Sequence, residues 1–128
     1  MFAALLTHEV RPTLQFSCDW RLYEKIMTTL TEFGFTRDDC TYTAYWDEGN
    51  PLVQRDDVLV SVYRRGSKMM CVIGSYADGD TELVLRPKQG RVVSARDAER
   101  GGSLTVRDGA AVLTLPRRDF ALVELACE

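Results

Sequence analysis

The stretch VLVSVYRRGSKMMCVIGSY, residues 58–76, decides the fold class of this chain. Two runs of mainly apolar, β-branched residues flank the polar tetrad Arg65-Gly66-Ser67-Lys68. A short glycine-containing loop between two such runs is typical of an antiparallel β-hairpin. The second run carries apolar or small residues on both of its faces, which indicates a strand that is covered on both sides. We therefore predict that this hairpin lies at the centre of a sheet.

Turn signals recur at intervals of about ten residues from there to the end of the sequence. They separate strands that we predict at residues 58–64, 69–76, 81–86, 91–97, 103–107, 110–115 and 119–126. The Asp108-Gly109 pair predicts a tight hairpin between two of these strands. Short strands joined by short turns form antiparallel sandwiches or barrels rather than βαβ units. The sequence therefore predicts a mainly β protein, an antiparallel β-sandwich of about seven strands.

The N-terminal part of the chain has a different pattern. The continuous apolar run at residues 2–6 predicts a strand buried on both faces. Apolar residues at helical spacing between residues 19 and 33 predict an amphipathic helix, capped by Ser17 or Asp19 and ended by Gly34. Its predicted apolar stripe consists of Trp20, Tyr23, Met27 and Leu30, with Ile26 and Phe33 on the flank. We therefore divide the chain into an N-terminal strand, helix and connector at residues 1–50 and a β-sandwich domain at residues 51–128.

The composition favours a globular chain and disfavours two classes of partner. The net charge of −3 and the isoelectric point near 5.2 disfavour nucleic acid, whose binding proteins present a basic face. A membrane helix needs ~18 consecutive apolar residues, and the sequence has no such run. The opening MFAALL is too short for the core of a signal peptide. We expect a soluble chain with no membrane partner, whose localisation the sequence leaves open.

The cysteines predict neither a metal site nor a cofactor. Cys18, Cys40, Cys71 and Cys127 are widely spaced, form no CxxC pair and have only His8 as an imidazole in the chain. Cys71 lies within an apolar strand, where a buried free thiol is the simplest interpretation. Disulfide pairing among the four cysteines stays open at this point.

Two sets of side chains are candidates for a functional site. The carboxylates of Glu9, Asp47 and Glu48 are candidates for hydrolysis, because most glycoside hydrolases use a pair of carboxylic acids. Each of them also fits a structural or turn role. A second set of aromatic residues could stack on sugar rings or pack two layers of the fold together. It consists of Tyr42, Tyr45, Trp46 and Tyr76.

Three segments of the sequence resemble one family. They are residues 58–87, the segment VSARDAERGG and the closing LTLPRRDFALVEL. Together they resemble the C-terminal β-sandwich domains that follow catalytic (β/α)8 barrels in glycoside hydrolases of the glycoside-hydrolase-123-like and α-galactosidase-like kinds. The opening MFAALLTHEVRP with the predicted helix looks like the last strand and helix of such a barrel. The rest of the barrel, with its catalytic acids, has no counterpart in the sequence, and Ser75 stands where the family often has Asn.

The resemblance implies a non-catalytic accessory domain that supports a catalytic barrel or a partner subunit. One alternative is a carbohydrate-binding module that uses the four aromatic residues. Another is a small glycoside hydrolase that uses Glu9, or Asp47 with Glu48. Because the run at residues 2–6 and the helix stripe need apolar partners, we also predict self-association or contact with a missing barrel domain.

Overall fold

The computed structural model describes Thr7 and residues 19–128 of the chain. Among these residues one helix precedes eight strands. The helix is α1 (Trp20–Phe33), and the strands are β1 (Thr41–Thr43), β2 (Val58–Arg65), β3 (Lys68–Ser75), β4 (Thr81–Leu85), β5 (Val92–Asp97), β6 (Thr105–Arg107), β7 (Ala110–Leu115) and β8 (Phe120–Cys127). The strand predicted at residues 2–6 lies outside the described residues, as do Ser17, Cys18, His8 and Glu9.

The strands form two antiparallel sheets. The large sheet has the order β1-β2-β3-β8-β5, and the small sheet has the order β4-β7-β6. Strand β3 is the middle strand of the large sheet, as the stretch at residues 58–76 predicts. All seven predicted strands are present, each with ends within two residues of the predicted bounds. The prediction of a mainly β, antiparallel sandwich is confirmed.

Both predicted hairpins are present, and each has a two-residue loop. Strand β2 pairs with β3 so that Arg65 lies opposite Lys68, which leaves Gly66 and Ser67 as the loop. The loop between β6 and β7 consists of Asp108 and Gly109, with φ angles of 53° and 71°. Positive φ at both central residues is the requirement of the hairpin turn whose twist matches that of the strands.

The main core lies between the two sheets. Alternate residues of β2, β3 and β8 point from the large sheet toward the leucines of β4 and β7 in the small sheet, as the period of two in a strand requires. The fully buried members of this inter-sheet core include Val58, Val62, Cys71, Ile73, Leu85, Leu115, Val123 and Leu125. Cys71 is the buried free thiol that the sequence predicts, and Cys40 and Cys127 are also free.

Helix α1 covers the opposite face of the large sheet. Its ends follow the sequence signals, because the Asp19 side chain caps the start and Gly34 ends the helix with a φ of 93°. The second core cluster joins three helix residues to the outward side chains of the large sheet. It contains Ile26, Leu30, Phe33, Tyr63, Met70, Val72, Phe120 and Leu122. The fold is therefore a sandwich with a helix as a third layer.

The predicted stripe of the helix is wrong in its centre. Ile26, which the periodicity places on the flank, is 1% exposed, whereas Trp20 is 53% exposed. The face that packs on the large sheet is thus centred on Ile26 and Leu30, and Trp20, Tyr23 and Met27 form a ridge at its outer side. No helix in the described part of the chain is long and apolar enough to cross a membrane.

Candidate functional site

A turn after β1 presents two aromatic rings at the surface. We call residues 44–51 the aromatic turn. The rings of Tyr45 and Trp46 meet edge to face, with centroids 4.8 Å apart and planes at 90°. This is one of the geometries that aromatic pairs prefer, because the positive edge of one ring faces the negative face of the other. Trp46 is 61% exposed, so much of its side chain is at the surface beside its ring partner.

Asn50 holds the aromatic turn against the large sheet. Its side chain is buried, and its amide donates to the carbonyls of Ala44 at 3.1 Å and Val60 at 2.9 Å. The Asn50 Oδ1 atom accepts from the backbone N–H of Leu52 at 3.0 Å. An amide side chain offers both donors and an acceptor, which is why one asparagine can close both ends of a turn. The turn is consequently anchored to β2 from within the core.

Ser61 supplies a second anchor on the same strand. Its hydroxyl accepts from the backbone N–H of Tyr45 at 3.2 Å and donates to the Thr7 carbonyl at 2.8 Å. Both Ser61 and Thr7 are buried. A buried hydroxyl without a hydrogen bond costs free energy, so breaking these two bonds is unfavourable. They therefore hold the backbone of Tyr45, next to Trp46, in place.

The aromatic turn also forms one wall of a surface groove of about 520 Å³, which we call the turn groove. The Lys88 Nζ donates to the Glu48 carbonyl at 3.2 Å, and the Lys88 backbone N–H donates to the Pro51 carbonyl at 2.8 Å. These bonds tie the far wall of the groove to the turn. The lining residues are Glu48, Gly49, Asn50, Pro51, Arg64, Gly66, Ser67, Met69, Lys88, Gln89, Cys127 and Glu128.

The structure separates the four aromatic residues that the sequence singles out. Tyr45 and Trp46 contact each other, whereas the Tyr42 ring lies 5.0 Å from that of Tyr63 and packs in the helix-side cluster. The Tyr42 hydroxyl donates to the Thr7 carbonyl at 3.3 Å. Tyr76 is 44% exposed and follows the end of β3. Among the described residues, no ring contact joins Tyr76 to the other three.

The two acidic residues in the aromatic turn have different surroundings. The Asp47 Oδ1 accepts from the Gly49 backbone N–H at 2.7 Å, so this carboxylate shapes the turn. Glu48 is exposed and lines the turn groove. The structure therefore brings only Glu48 of the two into the groove, and Glu9 lies outside the described residues.

A second groove, of about 610 Å³, lies between the end of α1 and the large sheet. Arg65 joins its walls, because its guanidinium donates to both carboxylate oxygens of Asp39, at 3.2 and 2.9 Å, and to the Phe33 carbonyl at 2.7 Å. The bond from Arg65 holds the pKa of Asp39 below its ordinary value. Glu124 is paired with Arg96 at 2.8 Å. Arg65 thus ties the end of α1 to the large sheet, and the Arg96–Glu124 pair lies within that sheet.

Sequence reasoning identified the aromatic pair but neither of these anchors. In the sequence, Asn50 lies in a stretch of turn-forming residues, and Arg65 lies in the predicted hairpin loop. The signal for Asn50 was the Asn-Pro dipeptide after an acidic turn, which indicates a turn without indicating its partner. Among the described residues, no group of three or more His, Cys, Asp or Glu side chains is placed to hold a metal ion.

No protein-family model matches the chain, and no curated protein sequence matches it. Solved structures of glycoside hydrolases are similar to it in fold. An α-amylase from Anoxybacillus has a TM-score of 0.57 at 14% identity, over 89% of this chain and 24% of that chain. A family 30 endoxylanase from Clostridium papyrosolvens has a TM-score of 0.58 at 14% identity, over 84% of this chain and 28% of that chain.

A third similar structure is a family 30, subfamily 8 xylanase from Clostridium acetobutylicum. It has a TM-score of 0.56 at 12% identity, over 93% of this chain and 31% of that chain. Identities this low show a shared fold alone. The chain spans between 24% and 31% of the length of these three enzymes.

Proposed function

We propose that this chain is a non-catalytic accessory β-sandwich domain of a glycoside hydrolase, and that it supports a catalytic (β/α)8 barrel or a partner subunit. One observation carries the proposal. The fold similarity covers 84% to 93% of this chain and at most 31% of each of the three enzymes. Most of each enzyme therefore has no counterpart here, and in this proposal that other part performs the hydrolysis.

The carboxylates in the aromatic turn support a role without catalysis. Glycoside hydrolysis needs two carboxylic groups about 5 to 9.5 Å apart that face one bond of the substrate. Asp47 is bonded to the backbone of its own turn, and only Glu48 lines the neighbouring groove. We expect the isolated chain to hydrolyse neither aryl glycosides nor polysaccharides.

The outer side of α1 is the surface on which we place the partner. Trp20 stacks on Tyr23, with ring centroids 5.9 Å apart and planes at 24°, and Met27 lies one turn further along. We call these three residues the helix ridge. They line a shallow groove of about 380 Å³, and Trp20 is half exposed. Tryptophan, tyrosine and methionine are the side chains enriched at the centres of protein interfaces.

The occupant that we assign to the helix ridge is the catalytic barrel. We choose the barrel because each of the three similar enzymes is much longer than the part that matches this chain. In the absence of a barrel, we expect a second copy of the chain to cover the same ridge. The barrel would then displace the second copy, because both compete for Trp20.

Size-exclusion chromatography with light scattering tests this assignment. We expect the isolated chain to form a dimer, and Trp20→Ala to shift it toward the monomer. Trp46→Ala is the matched control, because Trp46 is also an exposed tryptophan but lies on the aromatic turn, outside the helix ridge. A clean monomer at all concentrations, or an equal effect of the two substitutions, would count against the helix ridge as the contact surface.

A further inference from the structure

The chain contains two Asp-Gly pairs, Asp78-Gly79 and Asp108-Gly109. In such a pair the amide nitrogen of the glycine can attack the side-chain carboxyl of the aspartate, because glycine has no side chain that would shield it. The reaction forms a five-membered succinimide ring and releases water. Addition of water to the ring then gives either aspartate or isoaspartate. The ring closes only where the backbone is free to bring the two groups together.

The first pair lies in an open loop between β3 and β4. The Asp78 side chain is 94% exposed, and an added Cβ at Gly79 would meet nothing within 4 Å. In the described part of the chain, the Gly79 N–H donates no hydrogen bond. Asp78 pairs with the Arg118 guanidinium at 3.5 Å, and both side chains are exposed, so this contact holds the loop only weakly. Rotation of the backbone at Asp78 therefore breaks little of the native structure.

The second pair is held in the tight turn between β6 and β7. Asp108 and Gly109 have φ angles of 53° and 71°. The Asp108 carbonyl accepts from the Arg86 guanidinium at 3.1 Å, and the Gly109 carbonyl accepts from the Val92 N–H at 2.9 Å. A succinimide can form here only if the backbone rotates out of this turn, which breaks both hydrogen bonds and disturbs the pairing of β6 with β7.

We propose that Asp78-Gly79 is a site of spontaneous isoaspartate formation in the folded chain, and that the turn protects Asp108-Gly109. Breaking two hydrogen bonds raises the barrier to ring closure at Asp108 alone. We therefore expect Asp78 to isomerise at least about tenfold faster than Asp108, a factor that corresponds to about 1.4 kcal/mol. The choice between the two sites rests on the geometry of their loops and is independent of the proposed function.

Isomerisation at Asp78 changes the loop and leaves the core untouched. It adds one carbon atom to the main chain and leaves a free carboxylate on the Cα, so the charge of the loop is kept. Asp78 lies in an exposed connection, where a change in the backbone is tolerated best. The chain therefore accumulates the modified form while it stays folded. The new carboxylate is the group that a methyltransferase specific for isoaspartate recognises.

Peptide mapping of aged samples tests the proposal. The whole chain is incubated folded and in urea, and trypsin then places the two pairs in separate peptides, residues 69–88 and 108–117. An isoaspartyl methyltransferase with labelled S-adenosylmethionine counts the isoaspartate in each peptide. In the folded sample we expect at least about tenfold more isoaspartate at Asp78 than at Asp108. In urea, where the turn is lost, we expect similar amounts at both sites.

Asp78→Glu checks the chemistry, because the longer side chain does not form the five-membered ring. We expect this variant to lose the signal of peptide 69–88 and to keep that of peptide 108–117, and a signal that persists in peptide 69–88 contradicts the assignment. Equal yields at the two sites in the folded chain, or more isoaspartate at Asp108, overturn the proposal. It is also overturned if Asp78 isomerises in urea but not in the folded chain.

Discussion

Replacement of Asn50 by alanine should destabilise the fold more than its place in a surface turn suggests. The substitution removes three hydrogen bonds, to Ala44, Val60 and Leu52. The Val60 carbonyl keeps a bond from the Gln54 amide at 3.1 Å, and the Ala44 carbonyl keeps one from the Asp47 N–H at 3.1 Å. The N–H of Leu52, a fully buried residue, has the Asn50 oxygen as its acceptor and loses it.

A buried donor left without a partner costs about 1–3 kcal/mol, and each lost net hydrogen bond about 0.5–1.5 kcal/mol. We therefore expect Asn50→Ala to lower the free energy of unfolding by about 3 kcal/mol. In a domain of this size that corresponds to a fall in Tm of about 10 °C. Urea denaturation followed by circular dichroism measures the first quantity, and thermal melts measure the second.

Gln54→Ala is the matched control for this substitution. Gln54 bonds the same Val60 carbonyl at 3.1 Å and also accepts from the Val60 backbone N–H at 3.2 Å, but its side chain is half-buried, so water can replace both lost bonds. We expect a loss of about 1 kcal/mol in this variant. If Asn50→Ala destabilises the chain no more than Gln54→Ala does, the argument that Asn50 anchors the aromatic turn from within the core is refuted.

Three further predictions concern other parts of the fold. The hydrogen bond from Arg65 lowers the pKa of Asp39 below its ordinary value of 3.8 in the folded state. The ionised Asp39 therefore stabilises the folded chain fully at a pH above 3.8, and this stabilisation is lost as the pH falls through the lowered pKa. The Tm difference between the wild type and Asp39→Asn should therefore shrink between about pH 6 and about pH 2, and a constant difference would contradict this. Gly109→Ala should lower the free energy of unfolding, measured by urea denaturation, more than Gly66→Ala does. Both glycines have positive φ, but only at position 109 would an added Cβ meet a neighbouring side chain, at 2.9 Å. Equal losses of stability in the two variants would contradict this packing argument. Burial raises the pKa of the Cys71 thiol and so keeps it from reacting with an alkylating reagent at about pH 8. Peptide mapping should find Cys71 unmodified in the native chain and modified after unfolding. Rapid labelling of the native chain would contradict this, because it would show that β3 is accessible.

The strands around β3 show which parts of the fold can be predicted from the local sequence. The Gly66-Ser67 and Asp108-Gly109 loops are local signals, since the turn depends on residues that the loop itself contains. The apolar residues on both faces of β3 likewise predicted a central strand. They also indicated a covering layer on each side, although which segment forms the second layer depends on tertiary packing.

The orientation of α1 could not be predicted from its periodicity. Trp20 and Tyr23 are large and apolar, so a hydrophobic stripe drawn from sequence includes them. The face that packs is chosen by the outward side chains of the large sheet, Met70 and Val72 among them, which form one core cluster with Ile26. The stripe predicted from the sequence and the face that packs in the structure differ by about one helical position. This difference leaves Trp20 at the surface.

The candidate site was predictable in its residues but not in its geometry. Tyr45 and Trp46 are adjacent aromatic residues beside an acidic turn, which is visible in sequence. Their anchoring depends on pairs that are distant along the chain: Asn50 bonds a carbonyl 10 residues away. Arg65 bonds one 32 residues away, at the end of α1. No local pattern encodes such pairs, because the partner is a backbone carbonyl that every residue has.

The central claim is that this chain supports a catalytic partner, and the Tm of that partner tests it most directly. The partner to use is any (β/α)8 barrel that is found encoded beside this chain, purified with and without it. Binding to the folded barrel at about 100 times the Kd would stabilise the barrel by about 2.7 kcal/mol, and its Tm would rise by several degrees. The account predicts this rise, its loss with Trp20→Ala, and no hydrolysis by the chain alone. An unchanged Tm of the barrel, together with turnover of aryl glycosides by the isolated chain, would contradict it.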